Sequence, residues 1–235
     1  MSNSANLALP MLQAAQAQKH VTVNEALTIL DGAVQLILQA TDQTVPPATP
    51  NDGDCYGVPA GATGAWAANV GDIALWANGG WVFVAAAKGW RAFVTNVSQT
   101  AVFDGANWKL GAAAVSPNNA ATAHDIIEIE VNLSAGPTTS ATAAIPGNSM
   151  VIGVTGRVTS AVSGALTSFR IGVSGSDDRY GSGVGLAQGS WLRGLTSAPL
   201  TYYADTDILI TGEGGDIAGG AVRLAIHVIR LSVPD

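Results

Sequence analysis

The chain has little charge, and its positive charge is especially sparse. Only 11% of its 235 residues are Asp, Glu, Lys or Arg, against a usual share of about 25%. Ten basic residues face seventeen acidic ones, which gives a formal net charge of −7. The basic residues are scattered along the sequence, whereas a nucleic-acid-binding protein presents a basic patch. The sequence therefore predicts that nucleic acid is not a partner.

Cysteines and long apolar runs are also scarce. Cys55 is the single cysteine, so no intramolecular disulfide can form. No run of about 18 apolar residues is present, so we expect no membrane insertion. The first twenty residues lack the basic and apolar regions of a secretory signal. These features favour a protein made in the bacterial cytoplasm and released by lysis. Cys55 itself, beside Tyr56 in a predicted strand, is interpreted as a small core residue.

Residues that typically perform chemistry are few and do not form a known motif. The three histidines, His20, His124 and His227, are far apart and lack the spacing of metal ligands. The stretch "DTDILITGEGGD", residues 205–216, holds four carboxylates but lacks the pattern of a calcium loop. We therefore predict no catalytic residues, no metal site and no cofactor, and a protein that is not an enzyme. A small glycan hydrolase with two carboxylates is the alternative within the enzyme class.

A helix is predicted near the N-terminus. "TVNE", residues 22–25, fits a capping box, in which Thr22 and Glu25 bond each other's backbone amides. The apolar residues that follow recur at helical spacing up to about residue 40. Because they occupy two faces, the helix is buried either under its own sheet or against copies of itself. Residues 1–45 are accordingly assigned to docking and oligomerisation. The first apolar face consists of Leu27, Leu30, Val34 and Ile37.

A tryptophan-rich β-meander is predicted for residues 46–110. Three prolines between residues 46 and 50 end the helical pattern, and the apolar period then changes to two. "ANGGW" and "DGANW" have the Asn/Asp-Gly chemistry of tight hairpins, so roughly six short strands are expected. The tryptophans of this region are interpreted as its core, namely Trp66, Trp76, Trp81, Trp90 and Trp108.

Residues 124–235 are predicted to form a second β domain, after an Ala-rich linker at 111–123. "HDIIEIEVNL" alternates apolar and polar residues, and the final strand places Val222, Leu224, Ile226 and Val228 on one face. Seven to eight strands at this spacing suggest a two-sheet sandwich, most simply a jelly roll. The predicted fold class is therefore mainly β: an N-terminal helix, a small β-meander and a C-terminal jelly-roll-like β-sandwich.

The N-terminal half resembles a known group of proteins. "ALPMLQAAQAQKHVTVNEALTILD", "PPATPNDGDCYGVPAGATGAWAANVGDIALWANGGWVFVAAAKGWRAFV" and "VFDGANW" occur together and in order. Over about residues 6–110 the chain closely resembles a family of uncharacterised proteins from alphaproteobacterial prophages and gene transfer agents. The resemblance implies a virion or gene-transfer-agent particle component, such as a head spike or tail fibre. It implies other particle proteins as partners and attachment to host surface polysaccharide.

The resemblance does not reach the C-terminal half, where phage appendages typically carry a variable, receptor-facing domain. Two readings stay open: a protein that mediates host attachment by carbohydrate binding, and a purely structural connector without a ligand. In either case the doubly apolar helix and the low surface charge predict a homo-oligomer, most simply a trimer.

Candidate carbohydrate-binding residues come from two polar segments of the C-terminal half. Trp191 and Arg193 stand in the Gly-rich segment "AQGSWLRG", and a Trp face can stack on a sugar ring. "GSDDRYGSG", residues 175–183, adds Asp177, Asp178 and Tyr180, which can accept or donate hydrogen bonds to sugar hydroxyls. The alternative for this second segment is a solvated turn without a ligand.

Overall fold

The computed structural model describes residues 3–12 and 19–235, and the chain forms two compact units, Met1–Ala121 and Thr122–Asp235. The described residues hold one α-helix, one short 3-10 helix and sixteen strands, so the mainly β prediction is confirmed. Within these residues there is no helix with the length and hydropathy needed to cross a membrane. Residues 13–18, part of the segment assigned to docking, lie outside the described residues.

The first unit contains the helix and two small sheets. One sheet has the order β1-β5-β6-β7 and the other the order β2-β3-β4, and all their neighbours are antiparallel except β1 and β5. The elements are α1 (Lys19–Ala33), β1 (Ile37–Leu38), β2 (Cys55–Gly57), a 3-10 helix (Gly64–Trp66), β3 (Asp72–Ala77), β4 (Gly80–Ala85), β5 (Arg91–Val94), β6 (Gln99–Phe103), β7 (Trp108–Leu110) and β8 (Ala112–Val115).

The helix differs from its prediction at both ends. Thr22 lies inside α1 rather than at its N-cap, so the capping-box assignment is wrong. The helix also ends at Ala33, because Gln35 adopts a positive φ of 54° that reverses the chain. Beyond this point burial follows a period of two: Leu36 and Leu38 are buried while Ile37 is exposed. That short apolar run is compatible with a strand as well as with a helix, and it forms a strand because it pairs with β5.

The N-terminal segment is held on α1 by one buried carboxylate. Asp31, only 5% exposed, accepts hydrogen bonds from the Oγ of Ser4 at 2.6 Å and from the backbone amides of Asn6 at 2.8 Å and Leu7 at 2.6 Å. Further along the segment, the side chain of Asn24 bonds the backbone amide and carbonyl of Leu12. Residues 3–12 are therefore fastened to the helix at two points.

Both predicted hairpin turns are confirmed. Asn78 and Gly79 have positive φ values of 52° and 80° between β3 and β4, as a type I′ turn requires. In the second turn, the carboxylate of Asp104 accepts the backbone amides of Ala106 at 2.8 Å and Asn107 at 2.6 Å. The residues of both turns therefore allowed the hairpins to be predicted from the sequence.

Of the predicted aromatic residues, Trp66 lies in the core of the first unit, Trp81, Trp90 and Trp108 pack half-buried against its clusters, and Trp76 contacts Trp81 without belonging to a cluster. Trp66 is fully buried, with its ring centroid 5.2 Å from those of Tyr56 and Trp81. Cys55 is also buried, as predicted, and burial raises the pKa of its thiol to about 12. Six strands, β2 to β7, occupy the predicted meander, although they belong to two sheets rather than one.

The second unit is an eight-stranded antiparallel sandwich. The strands of this unit are ordered β10-β15-β12-β13 in one sheet and β14-β11-β16-β9 in the other, which is the jelly-roll connectivity that the sequence suggested. Residues from both sheets form one buried cluster between them. The strands are β9 (Ala121–Asn132), β10 (Thr138–Ile145), β11 (Ser149–Gly164), β12 (Ser168–Val173), β13 (Ser176–Val184), β14 (Trp191–Tyr202), β15 (Thr206–Glu213) and β16 (Ile217–Leu231).

Strands with a strong alternation were predicted correctly, and weakly alternating strands were missed. In β16 the four predicted inward residues are at most 1% exposed. By contrast, one interpretation of residues 175–183 was a solvated turn, yet most of them form β13. The large side chains of β13 that point inward are those of Tyr180 and Val184. The predicted linker 111–123 contains the boundary of the two units, but it also contains β8 and the start of β9.

Candidate functional site

A groove lies on the solvent-facing side of the sheet β14-β11-β16-β9. Its volume is about 580 Å³, and it is open to solvent. Side chains from all four strands line it, because residues two apart on a strand point to the same side of a sheet. The polar and aromatic residues of the groove are Glu128, Thr155, Arg157, Trp191, Arg193 and Arg223.

The strand register sets these side chains in two neighbouring rows. In one row Trp191 of β14 is opposite Arg157 of β11, which is opposite Arg223 of β16, which is opposite Glu130 of β9. The next row runs from Arg193 through Thr155 and Ala225 to Glu128. The groove thus combines three arginines from three separate strands.

Trp191 is the exposed aromatic side chain of the groove. It is 64% exposed, although burying an indole gains more free energy than burying most other side chains. The guanidinium carbon of Arg193 lies 5.7 Å from the ring centroid, within the range of a cation–π contact. Two of the predicted site residues are therefore in contact and face solvent together.

The three arginines differ in their charge compensation. The Nε of Arg223 lies 2.7 Å from a carboxylate oxygen of Glu130 and 3.8 Å from one of Glu128. Hydrogen bonds from the hydroxyl of Thr159 and from Arg223 hold the pKa of Glu130 below its usual value. Arg157 contacts only the carbonyl oxygen of Gly189, at a long 3.5 Å. Among the described residues, neither Arg157 nor Arg193 has an ion-pair partner.

Tyr180 is a core residue, which corrects its assignment to the binding site. Its side chain is 2% exposed, and its hydroxyl is 2.8 Å from that of Tyr202. Burial and this hydrogen bond raise the pKa of Tyr180. The backbone of Tyr180 approaches β14 so closely that a Cβ on Gly194 would lie 2.0 Å from its carbonyl oxygen. Tyr180 and Gly194 therefore support β14 from the inside, beneath Trp191 and Arg193.

The two aspartates of the same segment belong to the opposite sheet. Asp177 on β13 forms an ion pair of 2.7 Å with Arg170 on β12, which accounts for its charge. Asp178 is exposed on β13. Neither residue lines the groove, so the structure separates the predicted set into Trp191 and Arg193 on one side and the aspartates on another.

Two further carboxylates of the second unit, on β15, bond residues of neighbouring strands. Asp207 accepts hydrogen bonds from the backbone amide of Ala143 and the hydroxyl of Ser140, both at 2.8 Å, and these bonds lower its pKa. Glu213 accepts from the hydroxyl of Ser168 at 2.6 Å and the amide of Gly183 at 2.9 Å. In the part of the chain that the structure describes, no three His, Cys, Asp or Glu side chains are grouped so as to hold a metal ion.

Sequence reasoning did not identify the other residues of the groove. Arg157, Arg223 and the glutamates of β9 are outward-facing positions of alternating strands, and this much is legible from the periodicity. Their proximity depends on β11 pairing with both β14 and β16, strands separated from it by about 30 to 80 residues of sequence. The sequence around an outward-facing arginine does not show which residues lie opposite it on the neighbouring strands, so the cluster could not be predicted from local sequence.

Comparisons with known proteins find a similarity in the N-terminal half. No curated protein matches this sequence. Among solved structures, a chain of the cyanophage Pam1 capsid asymmetric unit is similar over 46% of this chain and 84% of its own length, with 24% identity and a TM-score of 0.34. Residues 23–109 match the model of the family DUF2793, described as a protein of unknown function. This stretch of the first unit is thus similar to the DUF2793 family.

Proposed function

We propose that this chain is a structural protein of a phage or gene transfer agent particle that attaches the particle to polysaccharide on the host cell surface. In this proposal the first unit faces the particle, and the jelly roll of the second unit contacts the glycan. The particle location is supported by the resemblance of residues 6–110 to prophage and gene-transfer-agent proteins. A jelly roll by itself decides nothing about function.

The observation that carries the glycan-binding part is the exposed indole of Trp191 in the groove. An indole face offers apolar area to the CH groups of a sugar ring, while the groove supplies hydrogen-bond donors and acceptors for its hydroxyls. Arginine donors lie beside Trp191 on β14 and opposite it on β11, and the glutamate acceptors lie on β9, three strands across the sheet from β14. This composition matches a carbohydrate better than an apolar ligand.

We further propose that the chain acts as a homo-oligomer, with a trimer as the simplest form. Single sugar sites are weak, with dissociation constants on the order of 0.1–1 mM, or about 4–5 kcal/mol. Several copies on one particle raise the strength of attachment through effective concentration. The exposed apolar residues Leu30, near the end of α1, and Val34, just after the helix, are the support for this association.

The test is binding of the full chain to an array of bacterial surface polysaccharides, with Trp191→Ala as the variant. We expect the unmodified chain to bind a subset of the glycans and the variant to lose roughly 5- to 150-fold in apparent affinity, since a stacked base or ring contributes roughly 1–3 kcal/mol. Because Trp191 is largely exposed, the variant should keep its melting temperature.

Tyr203→Ala is the matched control, since Tyr203 is an 82% exposed aromatic residue of the same unit that does not line the groove. It should bind as the unmodified chain does. Absence of binding by any form of the protein would favour the purely structural connector instead. Release of reducing sugar from a bound polysaccharide would favour the hydrolase.

A further inference from the structure

The groove concentrates unpaired positive charge on an acidic chain. Only ten Lys and Arg occur in 235 residues, and the net charge is −7, yet three arginines converge here. Arg157 is directly opposite Arg223, an arrangement of like charges that destabilises a sheet. The glutamates of β9 compensate Arg223 alone. Among the residues that the structure describes, the guanidinium groups of Arg157 and Arg193 therefore have no carboxylate partner.

These two groups lie close to each other and to the indole. Arg193 is two residues from Trp191 on β14, and Arg157 is opposite Trp191 on β11. Arg157 and Arg193 are thus diagonal cross-strand neighbours, which places their Cα atoms about 7–8 Å apart. Their donors can reach groups on a single ligand that contacts Trp191.

We propose that the groove selects an acidic saccharide, one whose sugar ring stacks on Trp191 and whose carboxylate is bound by Arg157 and Arg193. This inference rests on the proposed glycan attachment and assigns its ligand class. A guanidinium presents paired N–H donors that match the two oxygens of a carboxylate. The carboxylates of Glu128 and Glu130 remain at the other side of the groove, where they accept hydrogen bonds from sugar hydroxyls.

The glutamates also favour a saccharide over nucleic acid. A nucleic-acid strand carries a negative charge at every nucleotide, and its binding sites are correspondingly rich in Lys and Arg. Here the far side of the groove carries a net negative charge, because the two carboxylates of Glu128 and Glu130 pair with a single arginine, Arg223. A saccharide with one carboxylate among several hydroxyls fits a surface that is positive at one side and negative at the other.

The experiment is calorimetric titration of the full chain at low ionic strength with three acidic saccharides: tetragalacturonate, a hyaluronan tetrasaccharide and sialyllactose. Each is compared with its carboxyl-reduced form, which keeps the ring and its hydroxyls but lacks the charge. We expect at least one acidic form to bind tenfold or more tightly than its reduced form. A charge-assisted hydrogen bond is worth about 1.5–3 kcal/mol, which corresponds to roughly 10- to 100-fold in affinity.

Arg157→Gln and Arg193→Gln should each remove most of this preference, because each weakens binding of the acidic form more than binding of the reduced form. Arg179→Gln is the matched control, because Arg179 is an exposed arginine of β13, in the opposite sheet. It should behave as the unmodified chain does. Added salt should weaken binding of the acidic form more than that of the reduced form.

Several outcomes would overturn the ligand class. Equal binding of an acidic saccharide and its reduced form would do so while leaving glycan attachment intact. Failure of all three acidic forms would also refute it, and glycan attachment would then stand or fall by the polysaccharide array. Loss of the preference in Arg179→Gln would show nonspecific charge attraction. Tighter binding of a thymidine oligonucleotide, lost in Arg157→Gln, would identify a nucleic-acid site instead.

Discussion

At the scale of single residues, Asp31 determines how the N-terminal segment attaches. Burial alone raises the pKa of a carboxyl group, but the hydroxyl of Ser4 and the backbone amides of Asn6, Leu7 and Ala5 donate to Asp31 and hold its pKa below the usual value. Hydrogen bonds to an ionised acceptor are stronger than those to a neutral one. The charged form of Asp31 therefore fastens residues 4–7 to α1.

We predict that Asp31→Asn releases this segment. The amide keeps one acceptor oxygen but puts an N–H₂ group where a second acceptor is needed. The loss of about 1.5–3 kcal/mol per charge-assisted bond should speed hydrogen exchange of the Asn6 and Leu7 amides by roughly 10- to 100-fold at pH 7. Exchange measured by NMR on the full chain tests this, with the amides of β16 as an internal control that should not change.

The same bond predicts a pH dependence with a definite sign. Because the folded pKa of Asp31 lies below the unfolded value of about 3.9, its contribution is complete above that value and is lost as the pH falls through the folded pKa. The exchange difference between the unmodified chain and Asp31→Asn should therefore be full at pH 6 and shrink below about pH 4. A difference that stayed constant down to pH 2 would contradict this role of the charge.

At the scale of elements, α1 and β1 present an apolar surface that the described chain leaves exposed. Leu30 is 49% exposed, Val34 46% and Ile37 51%. Ile37 is paired in register with Phe93 of β5, which is 42% exposed, so the surface continues onto the sheet. Of the two sequence interpretations, burial under the chain's own sheet does not account for this face, and packing against another copy remains the proposal.

We predict that Leu30→Asp dissociates the oligomer with little loss of stability in the separated chain. Sequence reasoning alone suggested a large loss of stability, because it placed Leu30 in a buried position. With half of the side chain exposed, a carboxylate there stays solvated, and the change should be within about 1 kcal/mol. In a subunit interface, however, the same charge loses its water, at a cost of several kcal/mol.

Sedimentation velocity at micromolar concentration provides the measurement. The unmodified chain should sediment as an oligomer, most simply a trimer, of the 23.7 kDa chain. Leu30→Asp should sediment as a monomer and keep a near-normal melting temperature. Val70→Asp serves as the control, since Val70 is an equally exposed residue of the loop before β3. A monomeric unmodified chain would refute the oligomer.

At the scale of the whole molecule, each unit has its own hydrophobic core. The second unit buries a single cluster that includes Phe169, Ile171, Ile208 and Leu224. The first unit has two smaller clusters, one around Leu38 and Val94 and one around Trp66. Among the described residues, each of these clusters lies within a single unit. Separate cores are the condition under which domains fold independently.

We predict that a fragment of residues 120–235 folds alone and keeps the saccharide binding of the full chain. It contains all eight strands of the jelly roll, β9 to β16, and every residue of the groove. Circular dichroism should show a β spectrum with a cooperative thermal transition. The array test should then give the same glycans as the full chain, although more weakly if multivalency is lost. A folded fragment that binds nothing, beside a first unit that adsorbs to host cells, would assign attachment to the other half.

The sequence by itself determined the features that depend on local chemistry. The two hairpin turns follow from Asn78–Gly79 and from Asp104, whose side chains and φ angles act within four residues. The strong strands follow from alternation, because one face of β9 and β16 must be buried. Composition determined the mainly β class, and the Trp-rich region determined its own core.

Only the tertiary structure decided the features that depend on pairing between distant strands. It ended α1 at Ala33, since Leu36 and Leu38 gain more from burial beside β5 than from one more helical turn. It buried Tyr180 rather than exposing it, because the side chain of this β13 residue points into the cluster between the two sheets. It also brought Arg157, Arg193 and Arg223, which look scattered in the sequence, into one groove. Strand register fixes such neighbours, and register is set by the whole buried face rather than by the residues that point outward.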